Sequence, residues 1–208
     1  GLELRRTLTG FKFIGEQVGV LESEGREGDF LMGFEESYGY LAGTSVRDKD
    51  AVVASMLICE LAAHWKKLGL DLYEAMKRLY DTYGFWSSAL LGQAYEGPEG
   101  ASDMAAMMSG LRDHAPEQIG GFAVAQRIDY AQGAPMPVVN PTDEPQRLPE
   151  ADVLEFRLAD GSRVLIRPSG TEPKAKAYVF AKGADRTESE AKLAALIADA
   201  KSILGGTR

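Results

Sequence analysis

Histidine and cysteine are almost absent from this chain, with two of the first and one of the second in 208 residues. A single cysteine, Cys59, excludes an intrachain disulfide and fits a reducing compartment. It sits in an apolar helical pattern, so a buried structural thiol is expected rather than a nucleophile. His64 and His114 fall in helical stretches without partners at metal-ligand spacing, and a structural or exposed role is expected for both. No run approaches the roughly 20 apolar residues of a bilayer span. The N-terminus shows no signal-peptide pattern, so a cytoplasmic protein is expected. Basic residues are also scarce: 23 Lys and Arg stand against 31 Asp and Glu, for a net charge of −8. Nucleic acid and anionic membranes both require a basic surface, so neither is an expected partner. An anionic ligand would have to be drawn by a local positive site.

What is present suffices for a core. At 45% hydrophobic and 26% charged the composition is that of a soluble globular protein, long enough for one large domain or two small ones. GLELRRTL alternates as a short strand, and TGFKFIGEQVGVLES reads as a helix that Thr9 could cap. FLMGFEES reads as a second strand running into a loop rich in Gly and Tyr. From Asp50 to Leu68, Val53, Met56, Leu57, Leu61, Trp65 and Leu68 recur at helical spacing, and a further helix runs from Leu72 to about Tyr83. GQAYEGPEGAS is a turn-rich connection, which places a domain boundary there and predicts domains 1–92 and 93–208.

The second half reads as a short helix with Met104, Met107, Met108 and Leu111 inward, then a strand in GGFAVAQRIDYA and a Pro-rich excursion over 133–151. VLEFRLADGSRVLIR follows, two alternating runs about Asp160-Gly161, the signal of a two-residue hairpin. KAKAYVFA adds a strand. A last helix runs from about Glu188 to Leu204, with Thr187 and Glu190 in capping-box register and Gly205-Gly206 after it. The expected fold class is an α/β partial domain followed by a small α+β domain with an antiparallel sheet and helices on one face.

One stretch concentrates what the rest of the chain lacks. RPSGTEPKAKAY, residues 167–178, follows an apolar strand with an arginine, two hydroxyls, a glycine and two lysines. Arg167 can fork two N–H groups onto two oxygens of a phosphate. Ser169 and Thr171 offer hydroxyl donors, and Gly170 lets the backbone approach an anion. Pro168 and Pro173 stiffen the ends, and a rigid strand holds the loop in place. Glu172 would repel a phosphate and must point away or pair with Lys174 or Lys176.

RPSGTEPKAKAY resembles the phosphate-binding loop in the last domain of the α-D-phosphohexomutases, the phosphoglucomutase and phosphomannomutase superfamily. In order along the chain, TLTGFKFIGE resembles a segment of the family's third domain. GFEESYGYLAGTSVRDKDA resembles its sugar-binding loop, and GGFAVAQRIDY the first strand of its fourth domain. The EES-aromatic-G form is closer to the phosphoglucomutase branch than the EMSGH or EQSGH forms of some bacterial phosphomannomutases and phosphoglucosamine mutases.

The resemblance implies reversible transfer of a phosphoryl group between the 1- and 6-hydroxyls of a hexose, through a phosphoserine and a hexose 1,6-bisphosphate intermediate. It assigns the grip on the non-transferred phosphate to Arg167, Ser169, Gly170 and Thr171, with Lys174 and Lys176 as weaker members. It assigns the sugar hydroxyls to Glu35 and Ser37, and a carboxylate can indeed accept two vicinal hydroxyls. Lys49, between Asp48 and Asp50, resembles a lysine kept near the active site and is either a site residue or a surface ion pair. Arg47 and Lys12 are weaker candidates. Glucose, mannose, glucosamine and pentose phosphates share most of the hydroxyls such a loop reads, so the sugar stays open.

Two parts of the family pattern are missing: a T-A-S-H-N-P-like segment with its phosphorylatable serine, and a D-G-D-x-D-R-like loop to hold Mg²⁺. The beginning of the chain also resembles the middle of the family's third domain. The expectation is therefore a C-terminal fragment, an incomplete third domain plus the fourth, with Mg²⁺ ligands upstream and no turnover alone. Its opened edge could support a homo-oligomer. The alternative is a stand-alone, non-catalytic phosphosugar-binding module.

Overall fold

The computed structural model describes residues 2–35, 38–133, 148–170 and 172–205. Ser37, Thr171, Gly206 and most of the Pro-rich excursion lie outside them. The chain divides into two compact units, the first ending at Arg78 and the second beginning at Leu79.

In the first unit, α1 (Phe11–Ser23) buries Phe11, Ile14, Val18 and Leu21, the i, i+3, i+7, i+10 positions of one stripe. Gly10 rather than Thr9 sits at its N-cap, without a side-chain bond. Residues 2–8 form no strand. Strand β1 (Met32–Glu35) pairs antiparallel with β2 (Gly39–Ala42), in a register that sets Glu35 opposite Gly39. Buried Leu41 completes a small core with the α1 stripe, and Phe30 packs against it. Helix α2 (Ala51–Lys67) is capped by Asp50, whose carboxylate accepts from the N–H groups of Val52 and Val53. Its apolar stripe is present, yet α2 has no buried residue, and Cys59 is exposed rather than buried. Helical spacing shows which face of α2 is apolar, and most of that face, Met56, Leu57, Leu61 and Leu68, is exposed. Helix α3 (Leu72–Tyr83) begins at a reciprocal capping box between Asp71 and Glu74.

The second unit is a six-stranded antiparallel sheet in the order β3-β8-β7-β6-β5-β4, with helices packed on one face. Strand β3 (Phe85–Ala94) pairs with β8 (Lys174–Gly183) along all ten residues. The expected boundary at 92/93 therefore falls inside β3: the strand's partner lies some ninety positions downstream, a pairing that local composition does not encode. Helix α4 (Gly100–Asp113) contributes Met108 and Leu111 to the core, with Met104 and Met107 partly buried beside them. Strands β4 (Gln118–Ile119) and β5 (Phe122–Asp129) lead to β6 (Leu154–Leu158) and β7 (Arg163–Pro168).

The hairpin centred on Asp160-Gly161 is present, with a loop longer than the two residues expected. Gly161 N–H donates to Leu158 O and Leu158 N–H to Ser162 O, closing a loop over 159–161 with Gly161 at φ 89°. That is the three-residue hairpin in which glycine takes the left-handed position. Alternation then sorts the sheet. Leu154, Phe156, Val164, Ile166, Ala175, Ala177, Val179 and Ala181 face the helices and are buried. Glu155, Arg157, Arg163, Leu165, Arg167 and Lys176 take the other face.

Helix α5 (Arg186–Gly205) closes the core with Leu196, Ala200 and Leu204. Its cap is Asp185, which accepts from Glu188 N–H at 2.8 Å, while Glu188 accepts from Ala184 N–H at 2.7 Å. The capping box is thus shifted two residues upstream of Thr187 and Glu190.

Candidate functional site

Two groups of candidate residues take shape, one in each unit. In the first, Glu35 ends β1 opposite Gly39, and Tyr38 before that glycine has φ 65°, a conformation non-glycine residues seldom take. Lys49 comes to this hairpin through the chain that follows it. Asp50 N–H donates to Tyr40 O at 2.8 Å, which ties the Asp48-Lys49-Asp50 segment to β2. The Lys49 stem lies over Gly39: a Cβ built there would sit 2.7 Å from Lys49 Cδ and 3.0 Å from Glu35 Cγ. The structure thus brings Glu35 and Lys49 to one point. Lys49 Nζ reaches Asp48 at 3.0 Å and stands 5.2 Å from the centroid of the Phe11 ring. Hydrogen bonds from the Lys49 backbone and side chain hold the Asp48 carboxyl below its ordinary range.

Arg47 pairs with Glu22 on α1 and donates to Thr44 O, and its carbonyl lies against α1 at Gly15, where a Cβ would lie 2.7 Å from Arg47 O. Lys12 stacks its ammonium over Phe13 at 4.8 Å. His64 and His114 are both exposed.

In the second unit the loop after β7 is closed at its neck by Ser169 N–H donating to Lys174 O at 2.7 Å. Lys174 N–H donates to Glu172 O at 2.7 Å, and Tyr95 N–H to Pro173 O at 2.8 Å, so β3 braces the loop from the side. Glu172 pairs with Lys174, Oε2 to Nζ at 3.9 Å, one of the two partners the sequence offers it. Arg167 and Lys176 are directly opposed in the β7–β8 register and project on the same face. Like charges in that relation repel. Beyond its backbone pairing with Lys176, no hydrogen bond or ion pair joins the Arg167 guanidinium to another of the described residues. Arg167 is half-buried, and Gly170 is exposed. A half-buried guanidinium facing a lysine beside a braced, hydroxyl-bearing loop is an arrangement that an oxyanion neutralises.

Sequence reasoning missed Gly39, Tyr38 and Phe11 as parts of the first group. Gly39 was visible as a glycine in the motif. Its contact with Lys49 depends on the Asp50–Tyr40 bond, which spacing does not announce.

Residues 1–83 match the family model described as phosphoglucomutase/phosphomannomutase, alpha/beta/alpha domain III, and residues 117–205 match the C-terminal domain of the same family. A phosphoglucomutase of Staphylococcus aureus is 34% identical over 196 residues, 94% of this chain and 35% of the relative. A probable phosphomannomutase of Haemophilus influenzae is 35% identical over 199 residues, 95% of this chain and 36% of the relative. The chain thus spans about a third of the length of these relatives. The crystal structure of the exocytosis-sensitive phosphoprotein pp63/parafusin, a phosphoglucomutase of Paramecium in its open form, shares the fold at TM-score 0.60 and 20% identity, over 95% of this chain and 32% of that one. On its two domain matches, the chain belongs to the phosphoglucomutase/phosphomannomutase family and corresponds to that family's C-terminal region.

Proposed function

We propose that this chain is the sugar- and phosphate-holding part of a cytoplasmic phosphohexomutase, in the phosphoglucomutase branch, that interconverts hexose 1-phosphate and hexose 6-phosphate. The observation that carries the reading is the opposed Arg167–Lys176 pair beside the braced loop. Two cations facing each other across a ladder are stabilised by an anion between them, and the arginine fork adds bidentate geometry. In this proposal Arg167, Ser169, Gly170 and Thr171 hold the phosphate that is not being transferred, and Lys174 and Lys176 add charge. Glu35 and Ser37 take the sugar hydroxyls, with Lys49 beside them. A mutase must hold its substrate in two orientations, and hydroxyl pairs read by one carboxylate suit both.

The phosphorylated serine and the Mg²⁺ ligands are assigned to the part of the relatives' length that this chain does not span. Among the described residues no three His, Cys, Asp or Glu side chains gather where they could hold a metal ion. Phosphoryl transfer depends on positioning and on charge stabilisation at the reacting phosphate, and this chain supplies only the first. No described helix is long and apolar enough to cross a membrane.

Calorimetric titration with glucose 6-phosphate tests the reading. Binding is expected. Arg167→Ala should weaken it at least tenfold, the scale of a lost charge-assisted hydrogen bond of about 1.5–3 kcal/mol. Arg167→Lys should recover only part of that loss, because an ammonium cannot fork. Unchanged affinity in Arg167→Ala would overturn the phosphate assignment. A coupled assay should find no mutase turnover from this chain alone, and a rate matching a full-length mutase would overturn that part.

A further inference from the structure

Gly39 is a buried glycine whose backbone does not explain it. It lies in a regular antiparallel pair with Glu35 and is not among the glycines with positive φ. Space explains it. A Cβ at residue 39 would lie 2.7 Å from Lys49 Cδ, 2.8 Å from Lys49 Cγ and 3.0 Å from Glu35 Cγ, all inside the roughly 3.5–4.0 Å at which carbon atoms rest. The room a side chain would take is filled by the middle of the lysine.

Lys49 is held on both sides of that contact. Its backbone is fixed by the Asp50 N–H to Tyr40 O bond and by the capping of α2 through Asp50. Its ammonium is held between Asp48 Oδ1, at 3.0 Å, and the face of Phe11. Between those two ends the stem runs across residue 39.

We infer that Gly39 is a positioning residue: its missing side chain is the seat that lets Lys49 lie across β2 against Glu35. The inference deepens the proposed function and rests on it for the claim that Lys49 and Glu35 serve a hexose phosphate. The seat itself stands on geometry alone. A methyl group at residue 39 would displace the lysine stem, the more movable neighbour, and press on Glu35.

Two measurements test this without relying on activity. Lysines are dimethylated with ¹³C-formaldehyde, and the Lys49 resonance is assigned from Lys49→Arg. Over the Phe11 ring that resonance should stand apart from the other lysines, upfield. In Gly39→Ala it should move to the position of an unconstrained dimethyl-lysine while the other lysine signals stay in place. The second measurement is a thermal-melting cycle. Gly39→Ala should lower Tm, and in a Lys49→Ala background the same substitution should cost less than half as much, because the vacated stem leaves room for the methyl.

An unmoved Lys49 resonance in Gly39→Ala, or an equal Tm loss in both backgrounds, would overturn the seat. Titration with glucose 6-phosphate separates the two readings. If the chain fails to bind it while the Lys49 signal still moves, the seat stands and the proposed function falls. If binding is present, Gly39→Ala should add no further loss of affinity once Lys49 is alanine.

Discussion

Tyr38 is the only non-glycine residue with positive φ among the described residues, at 65°, and its side chain is 88% exposed. A left-handed conformation costs an L-residue about 1–2 kcal/mol, and an exposed ring recovers little of that by packing. The strain sits between the hairpin residues Glu35 and Gly39, beside the residues proposed to take the sugar, and such outliers collect at sites that hold ligands. Tyr38→Gly is expected to raise stability by about 1 kcal/mol, read as a higher urea midpoint with an unchanged slope. A lower midpoint would show that the ring packs in solution and that the strain is compensated. Much of the two candidate groups was legible one residue at a time: Glu35 and Lys49 in the first and Arg167 in the second are chemically conspicuous. Gly39 and Phe11 were not, because a seat and a cation-stacking face are properties of the neighbour.

At the scale of elements, α2 and β7 make a contrast. Strand β7 alternates, and the core face it offers is filled: Val164 and Ile166 are fully buried against helices and neighbouring strands. Helix α2 carries an equally clear apolar stripe, yet Met56, Leu57, Ile58 and Leu61 are exposed. Stability within a protein follows the packing of each element. Hydrogen exchange should therefore be slowest in β7 and β8 and at least tenfold faster along α2, measured at neutral pH by mass spectrometry. Equal protection would mean that something covers α2 in solution, and a second copy of the chain would be the first partner to examine. The hairpin and the helix caps show the same division. Asp160-Gly161 announced a turn, whereas loop length and the use of Asp185 over Thr187 were settled by the bonds the flanking strands and helix could close.

On the scale of the whole molecule, each unit is described by its own core, and the second is the larger. Its outer sheet face also holds a polar cluster that links strands far apart in sequence. Glu155 is 2% exposed, accepts from Tyr130 Oη at 2.7 Å and from Arg157 Nε at 3.1 Å, and lies 4.0 Å from Arg163 Nη1. Burial first, and then the hydrogen bond to Glu155, push the Tyr130 phenol well above its ordinary range. The neutral phenol is thus the form that folding favours. Its contribution is complete below the unfolded value of about 10 and is lost as pH rises above that. Urea midpoints should fall from about pH 10 upward, and Tyr130→Phe should flatten that fall relative to the native chain. An identical alkaline slope in both would remove Tyr130 from the account.

The sequence by itself determined the local matters: the helical stripes, the turn at Asp160-Gly161, the carboxylate and cation motifs and the family they signal. Those follow from near neighbours, whose spacing sets periodicity and whose backbone preferences set turns. Only the tertiary structure decided that β3 belongs to the second sheet, that Arg167 faces Lys176, that α2 leaves most of its apolar face exposed and that Lys49 lies across Gly39. Each of these depends on what stands opposite a residue. Register between strands is set by the side-chain packing of the whole sheet, and contacts across a loop depend on where its ends are tied. A pattern of apolar and polar residues names the face that will be turned inward, and the fold supplies what it meets there.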